Sequence, residues 1–152
     1  MERDPNGLDQ HAPGAKLDAM KARPVMVLGG FLAVLTRMPG MEAARQVLQL
    51  VHTLERKRSA ADLIREALGA DPLARLDEVV AAGTHGAAKY SPTGWLMAPD
   101  GMQRYAEAAV RHRMKSALGE RLDPDSGLSH DAHYLWNLLA YECLRTAYKE
   151  TT

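Results

Sequence analysis

A chain of 152 residues has the length of one ordinary domain, and its 19 Lys and Arg are balanced by 19 Asp and Glu. That neutrality excludes the basic excess of a protein that tracks a nucleic-acid backbone, so any anion it binds must be held locally. A single cysteine, Cys143, excludes an intrachain disulfide, while 46% hydrophobic residues suffice for a core.

Residues 1–23 are rich in Gly, Pro, Asp and Lys, lack periodicity, and are expected to form an extended or partly disordered arm. The opening Met1-Glu2-Arg3-Asp4-Pro5 lacks the basic-then-apolar order of a leader. The apolar run at 25–35 is too short for a bilayer, so a cytoplasmic protein without a membrane partner is expected. Pro24 opens an apolar segment that Met38-Pro39-Gly40 stops. From 41 to 57, Met41, Ala44, Val47, Leu48, Val51 and Leu54 keep helical spacing, which gives an amphipathic helix able to face a partner. Ser59 and Asp62 read as the cap and acidic first turn of a short helix that Gly69 ends. Asp71-Pro72 caps the next helix. Leu73, Leu76, Val79 and Val80 are expected to be its buried face, and Gly83 its stop. A loop is then expected over 83–99, punctuated by Gly83, Gly86, Pro92, Gly94 and Pro99. Asp100 and Gln103 read as a capping box for a helix to about residue 118. A second loop at 119–129 carries Asp123-Pro124-Asp125-Ser126-Gly127, and a final helix covers 130–148. No alternating pattern marks a strand. The expected fold is all-α, a bundle of five or more helices, with 24–152 as one domain and 41–70 as a candidate helical insertion.

The chemistry concentrates in the last two helices. The final one is apolar nearly all round, yet His130, His133, Asn137 and Tyr141 share one narrow face. Buried polar groups need partners, and a core hydrogen-bond network satisfies that need as well as a metal does. On the preceding helix Tyr105 and His112 share a face beside a basic stripe of Arg104, Arg111 and Lys115. Such a stripe is usually a solvated surface. Here it leads into Glu120 and Asp123, and a short return loop makes the two helices antiparallel neighbours. His112, Glu120, Asp123, His130 and His133 are therefore expected to converge. Carboxylates attract Mg²⁺, and imidazole suits Mn²⁺ and softer ions. Lys89 can take a phosphate charge, and Tyr90 or Trp95 can stack on a base, although Trp95 serves equally well as packing.

These residues fall in a recognisable order. Gly83-Thr84-His85-Gly86-Ala87-Ala88-Lys89-Tyr90, Gly94-Trp95, Arg104-Tyr105 and Arg111-His112 come first. Gly119-Glu120, Asp123-Pro124-Asp125-Ser126-Gly127-Leu128 and His130-Asp131-Ala132-His133-Tyr134-Leu135-Trp136-Asn137 follow. Together they resemble the phage dATP/dGTP diphosphohydrolases, the MazZ-like branch of the all-α, MazG-like nucleotide pyrophosphohydrolases. Gly14-Ala15-Lys16-Leu17-Asp18 and Val27-Leu28-Gly29-Gly30-Phe31 resemble that family's amino-terminal segment. The resemblance implies metal-dependent hydrolysis of a purine deoxynucleoside triphosphate, dGTP or dATP, to monophosphate and pyrophosphate. It places Lys89, Tyr90 and Trp95 in the substrate site. Arg111, His112, Glu120, Asp123, His130, His133 and Asn137 would form the catalytic and metal region. Within it Glu120, Asp123, Arg111 and His112 are expected in catalysis, and Lys115 and Asn137 on the substrate. Glu120, Asp123, His130 and His133 are expected on Mg²⁺ or Mn²⁺. It also implies a homo-oligomer, a dimer or tetramer.

Departures from the wider superfamily are specific. The chain has no Glu-x-x-Glu, and its sole Glu-x-x-Asp runs from Glu120 to Asp123, in a loop. His130-x-x-His133 stands where the superfamily has Glu-x-x-Asp, and Arg113 stands where the family usually has an apolar residue. An HD-type triphosphohydrolase is a rival reading, because His130-Asp131 is adjacent and His112 precedes it. Asp131 is the last aspartate, however, and that site needs a more distal one. A second rival is a non-enzymatic helical assembly or binding protein, resting on the 41–57 helix.

Overall fold

The computed structural model describes residues 2–18 and 20–150, with side chains described through residue 147. Among the described residues, seven α-helices follow an irregular segment. They are α1 Pro24–Gly29, α2 Leu32–Leu35, α3 Arg45–Glu55, α4 Ala61–Leu68, α5 Pro72–Lys89, α6 Gly101–Ala117 and α7 His130–Glu150. Short 3-10 turns stand at Glu42–Ala44 and Gly94–Met97. Among the described residues there is no strand, only isolated bridges between Arg3 and Asp9 and between Leu122 and Ser129. No described helix is long and apolar enough to cross a membrane.

The centre of the molecule is the α6–α7 pair. The contiguous run Tyr105, Ala106, Glu107, Ala108, Ala109 and Val110 is buried, so α6 is covered on nearly every side. Alanine suits this twice over, as the best helix former and as a side chain small enough for a neighbouring helix to approach closely. The pair is antiparallel. Ser116 Oγ donates to Asp131 Oδ1 at 2.9 Å near one end. The Tyr105 and Trp136 rings meet at 5.6 Å between centroids nearer the other. Against this pair pack α3 on α6, α4 and α5 on α7, and α1 on both α3 and α6.

Two polar devices, one buried and one half-buried, join the outer helices to the centre. Glu107, in the middle of α6, accepts hydrogen bonds from Val25 N at 2.5 Å and Met26 N at 3.3 Å, capping the start of α1. At the far end of α7, Glu142 accepts from Ser59 Oγ at 2.8 Å and Ala60 N at 2.9 Å, fixing the start of α4. Tyr141 donates to Arg58 O at 2.7 Å beside it. Arg113 donates to Gln46 Oε1 at 2.8 Å and so ties α6 to the start of α3.

The structure corrects several local expectations. Gly83 does not stop α5, which runs on to Lys89, so the first part of the expected 83–99 loop is helix. A Cβ on Gly83 would lie 3.0 Å from Trp136 Nε1. The glycine is there for close approach to α7, and a helix tolerates it. Leu73, Leu76 and Val80 are exposed at 78%, 44% and 64%, so the expected buried face of α5 is open over its first turns. Asp100 makes no capping hydrogen bond, because its backbone is left-handed with φ 52°. Ala60 occupies the backbone cap position of α4, but Ser59 Oγ still accepts from Ala61 N at 3.2 Å, and Glu142 takes the Ala60 N–H. The apolar face of α3 is not free for a partner, since Leu48, Leu50, Val51 and Leu54 are buried in the core.

Glu142 makes a pH prediction. Hydrogen bonds from Arg145, with those from Ala60 and Ser59, outweigh burial and hold its carboxyl down at about 2, against 4.5 unperturbed. A carboxyl depressed by folding stabilises the native state above its unfolded value, and that stability is lost as pH falls through the folded one. The melting temperature of the wild type should therefore fall more steeply between pH 4.5 and about 2 than that of Glu142→Gln. Parallel slopes in scanning calorimetry would contradict it.

Candidate functional site

Antiparallel packing turns one face of α6 towards the start of α7, and the 119–129 loop folds over the junction. Six side chains meet there in two hydrogen-bonded chains. In the first, His130 Nε2 lies 2.8 Å from Glu120 Oε2, and His130 Nδ1 lies 2.9 Å from His112 Nδ1. An ionised carboxylate only accepts, so Nε2 of His130 carries the proton. With His130 neutral, its Nδ1 accepts, and Nδ1–H of His112 donates. The Nε2 lone pair of His112 is thereby left available.

The second chain obeys the same logic. Ser126 Oγ donates to Asp123 Oδ2 at 2.8 Å and lies 2.7 Å from His133 Nε2. The hydroxyl has one proton, given to the carboxylate, so His133 must donate from Nε2 and keep a lone pair on Nδ1. The His112 and His133 rings stack at 4.8 Å between centroids and 15° between planes. Two neutral imidazoles, each with one nitrogen lone pair, thus lie face to face.

Burial, followed by the charges of His133 and His130, pushes the His112 pKa down to about 3. The His133 pKa is lowered as well, mainly by burial, although Asp123 opposes this. Burial would raise Asp123, but the hydroxyl and backbone N–H of Ser126 outweigh it and hold the carboxyl below its ordinary range. Donor atoms of His112, Asp123 and His130 all lie within 4.8 Å of one another, a spacing that a divalent cation can bridge.

The cluster opens into a cleft of about 1010 Å³ between α5, α6, α7 and the amino-terminal segment. His112, Asp123, His133 and Asn137 line it, as do Lys89, Tyr90, Trp95, Arg111 and Lys115. Most of the residues expected at a substrate site are thus brought together. Glu120 and His130 stand behind this wall. His130 is fully buried, and Glu120 reaches it from the surface. The basic stripe of α6 divides: Arg111 and Lys115 face the cleft, whereas Arg104 is consumed by a paired contact with Asp18 at 2.9 Å from both nitrogens. Tyr141 lies away from the cleft, bonded to Arg58 O. Asp131 does not join the cluster. It accepts from Ser116 instead, so the adjacent His-Asp pair is split between site and surface.

Trp95, Tyr105 and Trp136 form edge-to-face contacts at 5.6 to 6.5 Å, and Tyr105 donates to Trp95 O at 2.9 Å. Trp95 therefore packs on the core and lines the cleft at once. Two members of the site escaped the sequence reading. His85 meets His133 edge-on at 6.4 Å, and its Nε2 is buried with no hydrogen bond, 3.6 Å from Asp125 Oδ2. Asp125 also accepts from Lys89 Nζ at 2.9 Å. The signal was present: with α5 helical past Gly83, His85 and Lys89 stand four residues apart on one face.

A protein-family model described as dATP/dGTP diphosphohydrolase, N-terminal, matches residues 52–152, which hold every member of the two hydrogen-bonded chains. No curated protein and no solved structure gives a significant match.

The tautomer chain implies that His112 is neutral throughout the physiological range. A histidine with its pKa at about 3 carries no charge at pH 7 and takes a proton only in acid. Imidazole NMR shifts of the metal-free protein should show one histidine titrating far below 6.5, absent from His112→Asn. Ordinary titration of all six histidines near 6.5 would refute the arrangement.

Proposed function

The chain belongs to the dATP/dGTP diphosphohydrolase family, and we propose that it cleaves purine deoxynucleoside triphosphates between the α and β phosphorus atoms, giving monophosphate and pyrophosphate. The observation that carries this reading is the single cleft in which an imidazole–carboxylate cluster, unpaired cations and aromatic rings lie together. A nucleoside triphosphate offers a matching base, polyanion and reactive phosphorus.

The donor set fits a divalent metal. His112, Asp123 and His130 would hold it, the His112–His130 hydrogen bond giving way so that His130 Nδ1 is free to ligate. Two nitrogens with one oxygen favour Mn²⁺ over the oxygen-loving Mg²⁺. Such an ion, when bound, lowers the pKa of water and polarises phosphoryl oxygens. The chain's own groups do the rest. Arg111 and Lys115 offset charge developing on the phosphate oxygens. Lys89, held by Asp125, binds the tail, and Tyr90 or Trp95 takes the base. His133, neutral and with Nδ1 free, is the group able to accept a proton from attacking water. Glu120 acts through His130, whose tautomer it sets, as an outer carboxylate commonly does for a ligating imidazole.

Asp123→Asn removes the one carboxylate of the donor set while keeping its shape. It should lower kcat/KM by about a hundredfold or more, since even outer partners of metal ligands are worth roughly 10–100-fold. Chromatography of the products decides the reaction class. Monophosphate with pyrophosphate supports the proposal, whereas nucleoside with triphosphate would move the chain to the HD-type chemistry.

We also propose a homo-oligomer. Leu73, Leu76 and Val80 on α5, with Met26, Val27, Phe31 and Val34 on α1, α2 and the turn between them, are exposed large apolar residues of the kind a second copy covers. Light scattering at micromolar concentration should give a multiple of 16.7 kDa, and a monomer mass would reject this.

A further inference from the structure

The reading of the cleft as a triphosphate site leaves one feature unused. The chain is neutral overall, yet Arg3, Lys16, Lys21, Lys89, Arg111 and Lys115 line the cleft against only Glu2, Asp123 and Asp125. Lys89 is already paired with Asp125. Among the described residues, Lys16, Lys21, Arg111 and Lys115 form no ion pair at all. Resting on that reading, we propose that Lys16 and Lys21, from the irregular segment before α1, clamp the polyphosphate tail of the substrate together with Arg111. The segment lies outside the matched region 52–152, and it would complete the site.

Its position is built rather than incidental. Lys16 N donates to Asp4 Oδ2 at 3.2 Å, and Lys16 O accepts from Arg104 at 2.6 Å. Asp18 takes two further bonds from Arg104, and Leu17 N donates to the Tyr90 hydroxyl at 3.3 Å. Residues 16–18 are thereby fastened to α6 and to the end of α5. Gly14 makes the approach possible. Its φ is +85°, and a Cβ there would stand 2.5 Å from Met97 O. The backbone is fixed, and the Lys16 amine reaches over the Tyr105 ring at 5.1 Å from its centroid.

The cations oppose one another when no anion is present. Burial, then Arg111, pushes the Lys16 amine down to about 7, and Lys21 is lowered by burial and by Arg111 and Lys89. A packing role for Lys16 would be met by its stem alone, and would not need Lys21 or Arg111 nearby. A bound polyphosphate relieves the mutual repulsion and supplies charged acceptors to all three.

The test uses inorganic tripolyphosphate as the probe, with metal chelated so that no ion bridges it to the imidazoles. Titration calorimetry should show binding to the wild type. Lys16→Gln and Lys21→Gln should each weaken it by about tenfold, the value of one charge-assisted contact, and the double variant more. Arg37→Gln, outside the cleft, should bind as the wild type does. The Lys21 side chain makes no ion pair or hydrogen bond among the described residues, so Lys21→Gln remains informative if Lys16→Gln fails to fold. Wild-type affinity in the double variant, or no binding by the wild type, overturns the clamp. If the wild type binds tripolyphosphate through both lysines but hydrolyses no triphosphate, the clamp stands and the proposed activity fails. If it hydrolyses triphosphates while the double variant binds the probe undiminished, the activity stands and the clamp fails.

Discussion

The hydrogen bond between His112 and His130, 2.9 Å across the α6–α7 interface, is the contact on which both fold and site depend. A buried imidazole nitrogen without a partner costs about 1–3 kcal/mol, so neither ring can enter this interface alone. Each needs the other, and His130 also needs Glu120 at its second nitrogen. The bond forms only if the helices approach closely at this level, and buried Ala108, Ala109 and Ala132 leave room for that. Packing the two central helices and setting the tautomers of the site are thus one event.

The same interface decides which other residues reach the cleft. Trp136 on α7 needs a glycine opposite it, and Gly83 provides one without ending α5. Because α5 continues, His85 and Lys89 are carried over the imidazoles, and Asp125 in the 119–129 loop bridges them. Because α5 ends at Tyr90, that ring's hydroxyl is free to take the Leu17 amide. The amino-terminal segment then has a fixed seat, and Arg104 locks it there through Asp18. A cleft whose walls come from four distant parts of the chain is assembled by contacts that each require the preceding one.

Much of this was legible in the sequence, and the reason is periodicity. α6 and α7 are long, and their polar positions recur at helical spacing within apolar surroundings. The convergence of His112, Asp123, His130 and His133 therefore followed from a short return loop. Local signals were weaker where tertiary contact overrode them. Gly83 carries the mark of a stop, but the mark cannot say whether a tryptophan will need the space. Asp100 and Gln103 have the spacing of a capping box, yet the chain enters α6 through a left-handed turn that points the carboxylate elsewhere. Leu73, Leu76 and Val80 have the spacing of a core face, and periodicity does not distinguish a face buried by the same chain from one left open. The role of Arg104 depends on Asp18, 86 residues away, and no spacing rule reaches that far.

The composition of the donor set bears on how an anionic substrate is tolerated. A site built from several carboxylates repels a polyphosphate until a cation is bound, so metal and substrate must arrive together. Here the cluster contributes one carboxylate, Asp123, beside imidazoles kept neutral by burial and by their hydrogen-bond partners. Glu120 supplies its negative charge from behind His130, outside the cleft lining. Cations therefore outnumber carboxylates in the cleft lining, and among the described residues Arg111 and Lys115 form no ion pair. Opposite charges attract far more strongly in a partly desolvated cleft than in water. The field of the cleft is therefore favourable to an anion before any metal is considered. With a single carboxylate in the cluster and neutral imidazoles beside it, the charge that favours an anion in the cleft comes from the chain's own cations.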